Sequence, residues 1–371
     1  MPDRLPRRDY VLLPLLSILT MLVLFGIAEG ASRLVFPERK QDSCAVPDPR
    51  LGHHYQPNCV SLTKAAEGPW VTNRYNDCGS RATAPCGLKP PGSMRVVVTG
   101  SSVAQAYMVP YSESFMARAA NALGSRCHRA VEFQDFASIG YIWNRLYDRL
   151  GDELAIAPDA VVMVTVPFDL EQTPPGSDGQ RSAPVSLMKR IDNVIDDSRA
   201  MFAAEHFMFE NMPGYISLYL RYGDKADFLR PPFRPAWQKR LADFDALLGR
   251  MAERLSARGV PFVLIFMPQR AQAALLQNHA AIPGVDPAAF GEAIGQIAAR
   301  HGIQYVDLSP VVGKTPNPGA LYYPVDGHLN GEGHELLAQG AEQGLAAALP
   351  ALRSCANGPP TQQTADSGVT P

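Results

Sequence analysis

Two short stretches far apart in the chain carry residue types that together could perform nucleophilic chemistry. The first is the apolar run 96–99, which ends at a glycine and is followed at once by Ser101 and Ser102. The second, near the other end, holds Asp326 and His328 around one glycine. A serine hydroxyl is a weak nucleophile until a base removes its proton. Histidine suits that task because its unperturbed pKa lies near neutrality.

These residues define a hypothesis of a hydrolase-type site. Ser102 is the candidate nucleophile, His328 its base, and Asp326 the group that orients the imidazole and stabilises its charged form. In an extended loop, residues i and i+2 can point to the same side, so the carboxylate can reach the ring. A competing interpretation remains open. Asp-Gly-His could equally be a capping loop with a surface histidine ahead of the helix that Asn330 would cap.

Five strand candidates would position this chemistry, and several of them are continuous β-branched or apolar runs, as is typical of buried parallel strands. They are Arg95–Thr99, Val131–Ala137, Ala160–Val166, Pro261–Met267 and Gln304–Leu308. Helical patterns alternate with them at Glu113–Leu123, Asn144–Leu154, Arg240–Arg258, Asp286–His301 and Glu332–Ala348. The alternation predicts an α/β fold, a three-layer α/β/α arrangement with a central parallel sheet. Ser102 then lies at the carboxyl end of a strand, where open α/β sheets bind their ligands.

Residues 170–236 interrupt this alternation and are interpreted as an insertion near the mouth of the site. They contain a polar loop, Thr173–Pro184, a mixed helical segment, Val185–Phe209, and an aromatic stretch. The stretch comprises Tyr215, Tyr219, Tyr222, Phe228 and Phe233, with Trp237 just beyond. Two roles stay open for it, a lid that faces the substrate and a helical packing decoration.

The N-terminus predicts a membrane anchor. Arg4, Arg7 and Arg8 precede an uncharged apolar run of 18 residues, Val11–Ala28. As a helix it is roughly 27 Å long, close to the ~30 Å hydrocarbon core of a bilayer. The arginines place the first residues in the cytoplasm and the remainder outside it. A cleaved signal peptide is the alternative, since Ala28-Glu-Gly weakly resembles a cleavage site, but the run exceeds the usual ~7–15 residues of a signal-peptide core.

Six cysteines indicate disulfides in an oxidising compartment. Four of them lie in residues 37–94, where eight prolines predict an irregular lead-in without long regular elements. Plausible pairs are Cys44 with Cys59, Cys78 with Cys86, and Cys127 with Cys355, the last tying the C-terminus back to the sheet. Spacing alone does not fix the pairing, and six free thiols are the alternative.

Composition narrows the remaining possibilities. The formal net charge is −2 with no long basic run, so nucleic acid is not an expected partner. Neither a CxxC pair nor a histidine and cysteine cluster with metal-ligand spacing occurs, so we expect no cofactor and no metal. The sequence does not indicate an oligomeric state. The expected organisation is a cytoplasmic N-terminus (1–10), an anchor (11–28), the lead-in (37–94), the main domain (95–350) and a disordered tail (357–371).

At this point the motifs resemble those of the SGNH (GDSL) hydrolase superfamily, in its membrane-anchored cell-envelope form. Gly-Ser-Ser102 resembles the first block, commonly Gly-Asp-Ser, with Ser101 in place of the aspartate. The segment from Asp326 through His328 to the following helix resembles the last block, with the spacing Asp-x-His found in envelope members and in relatives of alginate O-acetyltransferases. The register favours Ser102 over Ser101 as nucleophile, and the fold implied is SGNH, or flavodoxin-like.

The resemblance extends over roughly residues 70–350 and implies further roles. The segment Ser138-Ile-Gly140-Tyr resembles the second block, so the backbone N–H groups of Ser102 and Gly140 would form the oxyanion hole; an ordinary tight turn is the alternative for Gly140. Asn76 to Arg81 resembles an Asn-x-x-Gly-x-Arg segment of anchored members. One departure matters. Phe168 stands where the third block has an asparagine, and loss of one oxyanion donor typically costs about 10²–10³ in rate.

The resemblance implies acyl transfer through an acyl-enzyme outside the cytoplasm. We expect a serine esterase that acts on O-acylated envelope glycans or on lipid esters. An O-acyltransferase with the same Ser, His and Asp residues is one alternative. The other is an inactive binding or assembly protein on the same fold, which the replacements at Ser101 and Phe168 would favour.

Overall fold

The computed structural model describes Pro6 and residues 8–171, 197–221, 223–277 and 282–356. Several expectations fall outside these residues. They are the arginines at 4 and 7, the polar loop 173–184, the first part of the helical segment 185–209, Tyr222 and the tail 357–371.

A five-stranded sheet forms the centre of the structure. Its strands are β5 (Met94–Gly100), β6 (Val131–Asp135), β7 (Ala160–Thr165), β8 (Phe262–Phe266) and β9 (Gln304–Asp307). All neighbours pair in parallel, in the spatial order β6-β5-β7-β8-β9. The chain moves from β5 to β6 on one side and then to β7 on the other. The order therefore reverses beside β5, which makes its carboxyl end a ligand-binding position in folds of this kind.

Helices cover both faces of the sheet. One face carries α3 (Phe115–Cys127) and α12 (Gly331–Ala348), and the other carries α4 (Trp143–Ala155), α8 (Pro235–Ser256) and α10 (Ala289–Arg300). Alternate strand residues supply the two cores: Val96 packs on the first face and Val97 on the second. The predicted three-layer α/β/α fold and its five strands are confirmed.

Shorter elements connect this framework. They are α2 (Ser102–Gln105), α5 (Pro167–Glu171), α6 (Arg199–Glu210), α7 (Met212–Tyr219), α9 (Arg270–Gln277), α11 (Ser309–Gly313) and α13 (Pro350–Ala356). Three 3₁₀ turns lie at Tyr111–Glu113, Gly223–Leu229 and Pro318–Leu321.

One predicted helix start is wrong. The helical pattern in the sequence starts at Asp286, but α10 begins three residues later, at Ala289. Contacts with other elements explain the difference: the backbone N–H of Asp286 donates to the carbonyl of Leu229, and the Gln272 side chain donates to the carbonyl of Pro287. These bonds hold the segment outside the helix, and the Asp286 carboxylate accepts from the backbone N–H of Ala288 instead.

The lead-in is more regular than its prolines suggest. It forms two antiparallel hairpins, β1 (Ala45–Asp48) with β2 (Gly52–Tyr55), and β3 (Val60–Lys64) with β4 (Trp70–Arg74). Seven of the eight prolines lie outside these strands, and Pro47 lies in a two-stranded hairpin with a free edge, where a missing N–H donor is tolerated. The lead-in is therefore not irregular throughout, but it contains no long regular element, as expected, since no strand here exceeds 5 residues.

Three disulfides join the cysteines, Cys44 to Cys59, Cys78 to Cys86 and Cys127 to Cys355. The first two cross-link residues within the lead-in. The third links the end of α3 to α13, so it ties the C-terminal helix to a neighbouring helix and not directly to the sheet.

The N-terminal helix α1 spans Asp9–Val35. It is long and apolar enough to cross a membrane, with a mean hydropathy of 2.6 over its most apolar window, and none of that window is buried against the protein. Together with the disulfides, this helix indicates a secreted or membrane-anchored extracytoplasmic domain.

A buried acid lies beneath β5. Glu153, on α4, has no exposed surface, and its carboxylate lies against the side chain of Thr99. Burial raises the pKa of its carboxyl to about 8. The unfolded chain releases this proton near pH 4.5, so between those values the folded state holds an extra proton and its stability falls as the pH rises.

We therefore predict that Glu153→Gln flattens the pH dependence of stability. Between these pH values Glu153 lowers the free energy of unfolding by up to about 1.4 kcal/mol for each pH unit of increase. The amide does not titrate, so it removes this dependence. Denaturant unfolding of the full chain in detergent between pH 5 and 8 measures this slope. Asp152→Asn, a more exposed acid on the same helix, is the control. Equal slopes in wild type and Glu153→Gln would contradict the prediction.

Candidate active site

Ser102 lies on a sharp turn between β5 and α2. Gly100 ends the strand with φ +141°, and a Cβ there would lie 2.7 Å from the Ala104 side chain and 2.9 Å from the carbonyl oxygen of Val164. Only glycine allows the chain to pass so close to β7. As the first residue of α2, Ser102 has a backbone N–H that no helical carbonyl can accept.

His328 lies on a closed loop between β9 and α12. A bridge between Tyr322 and Leu329 closes the loop, and the N–H of Gly327 donates to the carbonyl of Tyr323 at 3.0 Å. Gly327 has φ +78°, which makes the segment a turn and not the extended loop expected from the sequence. The Asn330 side chain caps the following helix, as predicted, by accepting from two backbone N–H groups.

The structure brings the three candidate residues together. The Ser102 hydroxyl lies 2.7 Å from Nε2 of His328. On the other side of the ring, Nδ1 of His328 hydrogen-bonds to Oδ1 of Asp326. The arrangement has the connectivity of a nucleophile, a base and an orienting carboxylate.

Electrostatics keep Asp326 ionised. Burial opposes its charge, but the hydrogen bond and charge of His328 outweigh burial and lower the pKa of the Asp326 carboxyl. Arg39, just beyond α1, adds to this effect, with its guanidinium 4.0 Å from Oδ2. An ionised carboxylate at this point favours a positive charge on the imidazole.

The loop with Gly140 lies directly beside the nucleophile turn. The N–H of Ser138 donates to the carbonyl of Gly100 at 3.2 Å. Gly140 has φ +71°, and among the hydrogen bonds of the described residues its N–H has no acceptor. Within the described part of the chain, this N–H and that of Ser102 are backbone donors without an acceptor, and they lie where the residues of the first and second blocks meet.

A buried polar network, which the sequence did not reveal, holds that loop. Gln105, in the first turn of α2, accepts from the Ile139 N–H at 3.1 Å and donates to the Tyr55 hydroxyl at 2.7 Å. Ser138 donates to the same hydroxyl at 3.1 Å, and its own oxygen lies 2.7 Å from Nε2 of His53. The position of Gln105 three residues after Ser102, one helical turn away, is the one signal that sequence offered.

The Asn76–Arg81 segment supports the nucleophile turn from below. Arg81 is fully enclosed, and its guanidinium donates to the carbonyls of Gln105, Ala106 and Val109. Gly79 must be a glycine, because a Cβ there would lie 2.1 Å from the carbonyl oxygen of Tyr55. The motif thus fixes the residues that follow Ser102.

The residues of the third block occupy different environments. Phe168, in the first turn of α5, is 39% exposed. Asp169 accepts from the Val166 N–H at 3.0 Å, and burial raises the pKa of its carboxyl to about 6. Ser101 is buried.

A cavity of about 340 Å³ opens beside His328. Aromatic side chains line much of its wall, with acids, an amide and a lysine among them: Phe168, Phe209, Tyr215, Tyr219, Glu171, Glu205, Gln269 and Lys225. Residues of the interrupting segment therefore form part of this wall, while Phe228 and Trp237 pack into the core against Phe290. The described part of the segment serves both the cavity and the core.

His334 and a cluster of one acid and two cysteines are held in structural contacts. Burial lowers the pKa of His334 to about 3, and its ring stacks on Phe115. Asp77, Cys78 and Cys86 are close enough to share a metal ion, but both cysteines are in a disulfide. Their sulfurs are therefore not available as thiolate ligands.

The fold is α/β, and its candidate site joins a serine, a histidine and an aspartate by hydrogen bonds. Residues 228–370, which include Asp326 and His328 but not Ser102, match the family model "SGNH hydrolase-like domain, acetyltransferase AlgX". Over these residues the chain is similar to an SGNH hydrolase-like domain of the AlgX type. No curated protein sequence matches the chain.

Solved structures with a similar course of the chain are distant. TesA is 16% identical, covering 69% of this chain and 100% of its own, with a TM-score of 0.41. A variant of an acetyl-xylooligosaccharide esterase from Geobacillus stearmophilus is 14% identical, covering 68% and 95%, with a TM-score of 0.40. A putative lipolytic protein of the G-D-S-L family from Desulfitobacterium hafniense is 16% identical, covering 68% and 100%, with a TM-score of 0.38. These likenesses are too distant to indicate a function.

The polar network generates a prediction about loop order. Gln105→Leu removes the acceptor of the Ile139 N–H, so we expect that amide to exchange hydrogen about 5–30-fold faster, as loss of a bond worth ~1–2 kcal/mol implies. Hydrogen exchange read by mass spectrometry on peptides covering 137–143 measures it. Gln134→Leu, another buried glutamine, is the control, because its side chain bonds elsewhere. Equal exchange in both variants would show that the network does not hold the loop.

Proposed function

We propose that this chain is a membrane-anchored extracytoplasmic serine esterase that acts through an acyl-enzyme on Ser102. The observation that carries the proposal is the continuous hydrogen-bonded path from the Ser102 hydroxyl through His328 to Asp326. Each group has the partner that its role requires: the nucleophile lies against a base, and the base against an ionised carboxylate.

The first half of the reaction forms the acyl-enzyme. The Ser102 oxygen attacks the ester carbonyl carbon while its proton passes to Nε2 of His328. Asp326 holds the ring and balances the imidazolium charge. The N–H groups of Ser102 and Gly140 stabilise the oxyanion of the tetrahedral intermediate. The imidazolium then gives its proton to the leaving oxygen, and the alcohol departs.

The second half returns Ser102 to its free state. A water molecule, or a sugar hydroxyl, loses its proton to His328 and attacks the acyl carbon. Collapse of this intermediate returns a proton to the Ser102 oxygen. With water the protein is an esterase, and with a sugar it is an O-acyltransferase. With Phe168 in place of an asparagine, the oxyanion hole lacks a side-chain donor, so we expect a modest rate.

The cavity supports an O-acylated glycan as substrate. Phe168 and the tyrosines of α7 line the cavity and suit stacking on a sugar ring, while Glu171, Gln269 and Lys225 offer partners for hydroxyl groups. The name of the matching family contains the word acetyltransferase, which favours acetyl as the acyl group. Lipid esters near the anchor are the alternative class.

The end of α1 supports a retained anchor over a cleaved signal peptide. The Glu29 carboxylate accepts from the Ser198 hydroxyl and from the backbone N–H groups of Arg199 and Ala200 at 2.8–3.2 Å, which caps α6. Phe36, directly after α1, is buried. Cleavage after Gly30, the end of the small-x-small site, would remove Glu29 and with it the cap on α6. The arginines before the helix place the first residues in the cytoplasm.

Covalent labelling tests the nucleophile and its base. We predict that a fluorophosphonate forms a stoichiometric adduct on Ser102 of the full chain in detergent. Ser102→Ala abolishes it, and His328→Ala slows it by about 10²–10⁴-fold, because the general base is lost. Mass spectrometry of the labelled peptide locates the adduct.

Ser101→Ala is the matched control for that experiment. It deletes the hydroxyl next in sequence, which is buried and lies against the Asp169 carboxylate. We expect it to leave labelling of Ser102 in place. A correctly folded wild type that forms no adduct would contradict the proposal and favour an SGNH-fold binding protein. An adduct on Ser101 would move the nucleophile by one residue.

The family name favours one second function, the O-acyltransferase. If Ser102 passes its acyl group to sugars, then adding a deacetylated oligosaccharide to p-nitrophenyl acetate yields acetylated sugar at the expense of free acetate. Chromatography coupled to mass spectrometry measures both products. Unchanged acetate release at every acceptor concentration would assign the chain to the esterases.

A further inference from the structure

One buried carboxylate outside the triad contacts the loop that carries two of its members. Glu67 lies in the turn between β3 and β4 and is 5% exposed. Its carboxylate accepts from the backbone N–H of Asp326 at 2.8 Å and from that of Val325 at 3.1 Å. These contacts span 259 and 258 residues of sequence, so a part of the lead-in determines where the loop lies.

The same carboxylate is fixed from a third direction. Nδ1 of His206, on α6, donates to Glu67 at 2.7 Å. On the other side of the loop, the buried guanidinium of Arg270 donates to the carbonyl of Pro324 at 2.9 Å. The carboxylate of Glu67 thus accepts from N–H groups of this loop, and the guanidinium of Arg270 donates to one of its carbonyls. Together they fix successive peptide units ahead of Asp326.

A small apolar cluster links this arrangement to the end of α1. Phe36, Ala66 and Phe202 are buried together, with Val325 packed against them. The rings of Phe36 and Phe202 lie 5.2 Å apart. We call Phe36, Ala66, Phe202 and Val325 the junction cluster. It joins the first residue after α1, the turn that holds Glu67, helix α6 and the residue next to Asp326.

We propose that Glu67 is a positioning residue for the Asp326–His328 loop, and that the junction cluster extends this control to the end of α1. The proposal rests on the proposed function, in which His328 is the base for Ser102. Glu67 touches neither Ser102 nor the imidazole. It acts by holding the backbone of Asp326 so that the carboxylate meets Nδ1 of His328.

The test uses the full chain in detergent and two readouts. The first is the second-order rate of fluorophosphonate labelling of Ser102. The second is independent of activity: the downfield proton resonance of His328 Nδ1–H, which depends on its hydrogen bond to Asp326. We expect Glu67→Ala to slow labelling by about 10–100-fold, the effect of displacing a catalytic group by an ångström or less, and to shift or abolish the resonance.

Two variants make the result specific. Glu67→Gln keeps the shape and one acceptor oxygen, so we expect an intermediate loss, and it stands in for Glu67→Ala if that variant does not fold. Glu210→Gln removes the same charge from the other neighbour of His206, which lies 3.6 Å away, but it does not contact the loop. We expect it to match wild type in both readouts.

The contribution of α1 is tested in the same way. Phe36→Ala opens the junction cluster far from Ser102, and we expect labelling to slow by about 2–10-fold. Leu34→Ala, two residues earlier and 87% exposed, removes a similar apolar side chain that makes little contact with the domain. It should leave the rate unchanged. Equal rates in Phe36→Ala and Leu34→Ala would overturn this part of the proposal.

Failure of the positioning role is distinguishable from failure of the proposed function. A labelled wild type with unchanged rate and resonance in folded Glu67→Ala or Glu67→Gln would overturn the positioning role and leave the nucleophile in place. A wild type that never reacts would end the proposed function. In that case the resonance alone decides: a shift in the Glu67 variants but not in Glu210→Gln supports positioning, and an unmoved resonance refutes it.

Discussion

The structure depends on one hydrogen bond, between the hydroxyl of Ser102 and the imidazole of His328. These residues are 226 positions apart, so no local preference of the chain brings them to 2.7 Å. The parallel sheet brings the two residues to the same region, because β5 and β9 direct their carboxyl ends to the same edge. The remaining precision comes from turns in which glycines at 100 and 327 allow conformations closed to other residues.

The lead-in extends that constraint in an unexpected direction. Its two hairpins lie beside the two loops that face the nucleophile: Tyr55 contacts the network around Gly140, and Glu67 contacts the loop of Asp326. The disulfide of Cys44 and Cys59 joins the hairpins to each other. The lead-in is therefore part of the support of the site. This role explains why an extracytoplasmic protein would keep it cross-linked.

Sequence reasoning worked where the signal is local. Continuous β-branched runs identified all five strands, and the side chain of Asn330 marked the start of α12. It failed where tertiary contacts override local preference, as at Asp286, whose neighbours hold it outside the helix. Glu67 had no distinguishing pattern around it, and Gln105 had only its spacing from Ser102, because a buried polar side chain is recognisable only once its partners are in place.

The measurement that tests the account most directly is capture of the covalent intermediate. The full chain is mixed with p-nitrophenyl acetate, quenched in acid within the first turnover, digested and analysed by mass spectrometry. The account predicts one acetyl group on the peptide that contains Ser102, formed with a stoichiometric burst of p-nitrophenol and absent from His328→Ala on the same timescale. Steady release of p-nitrophenol without any acylated Ser102 would contradict it, because hydrolysis would then proceed without the serine.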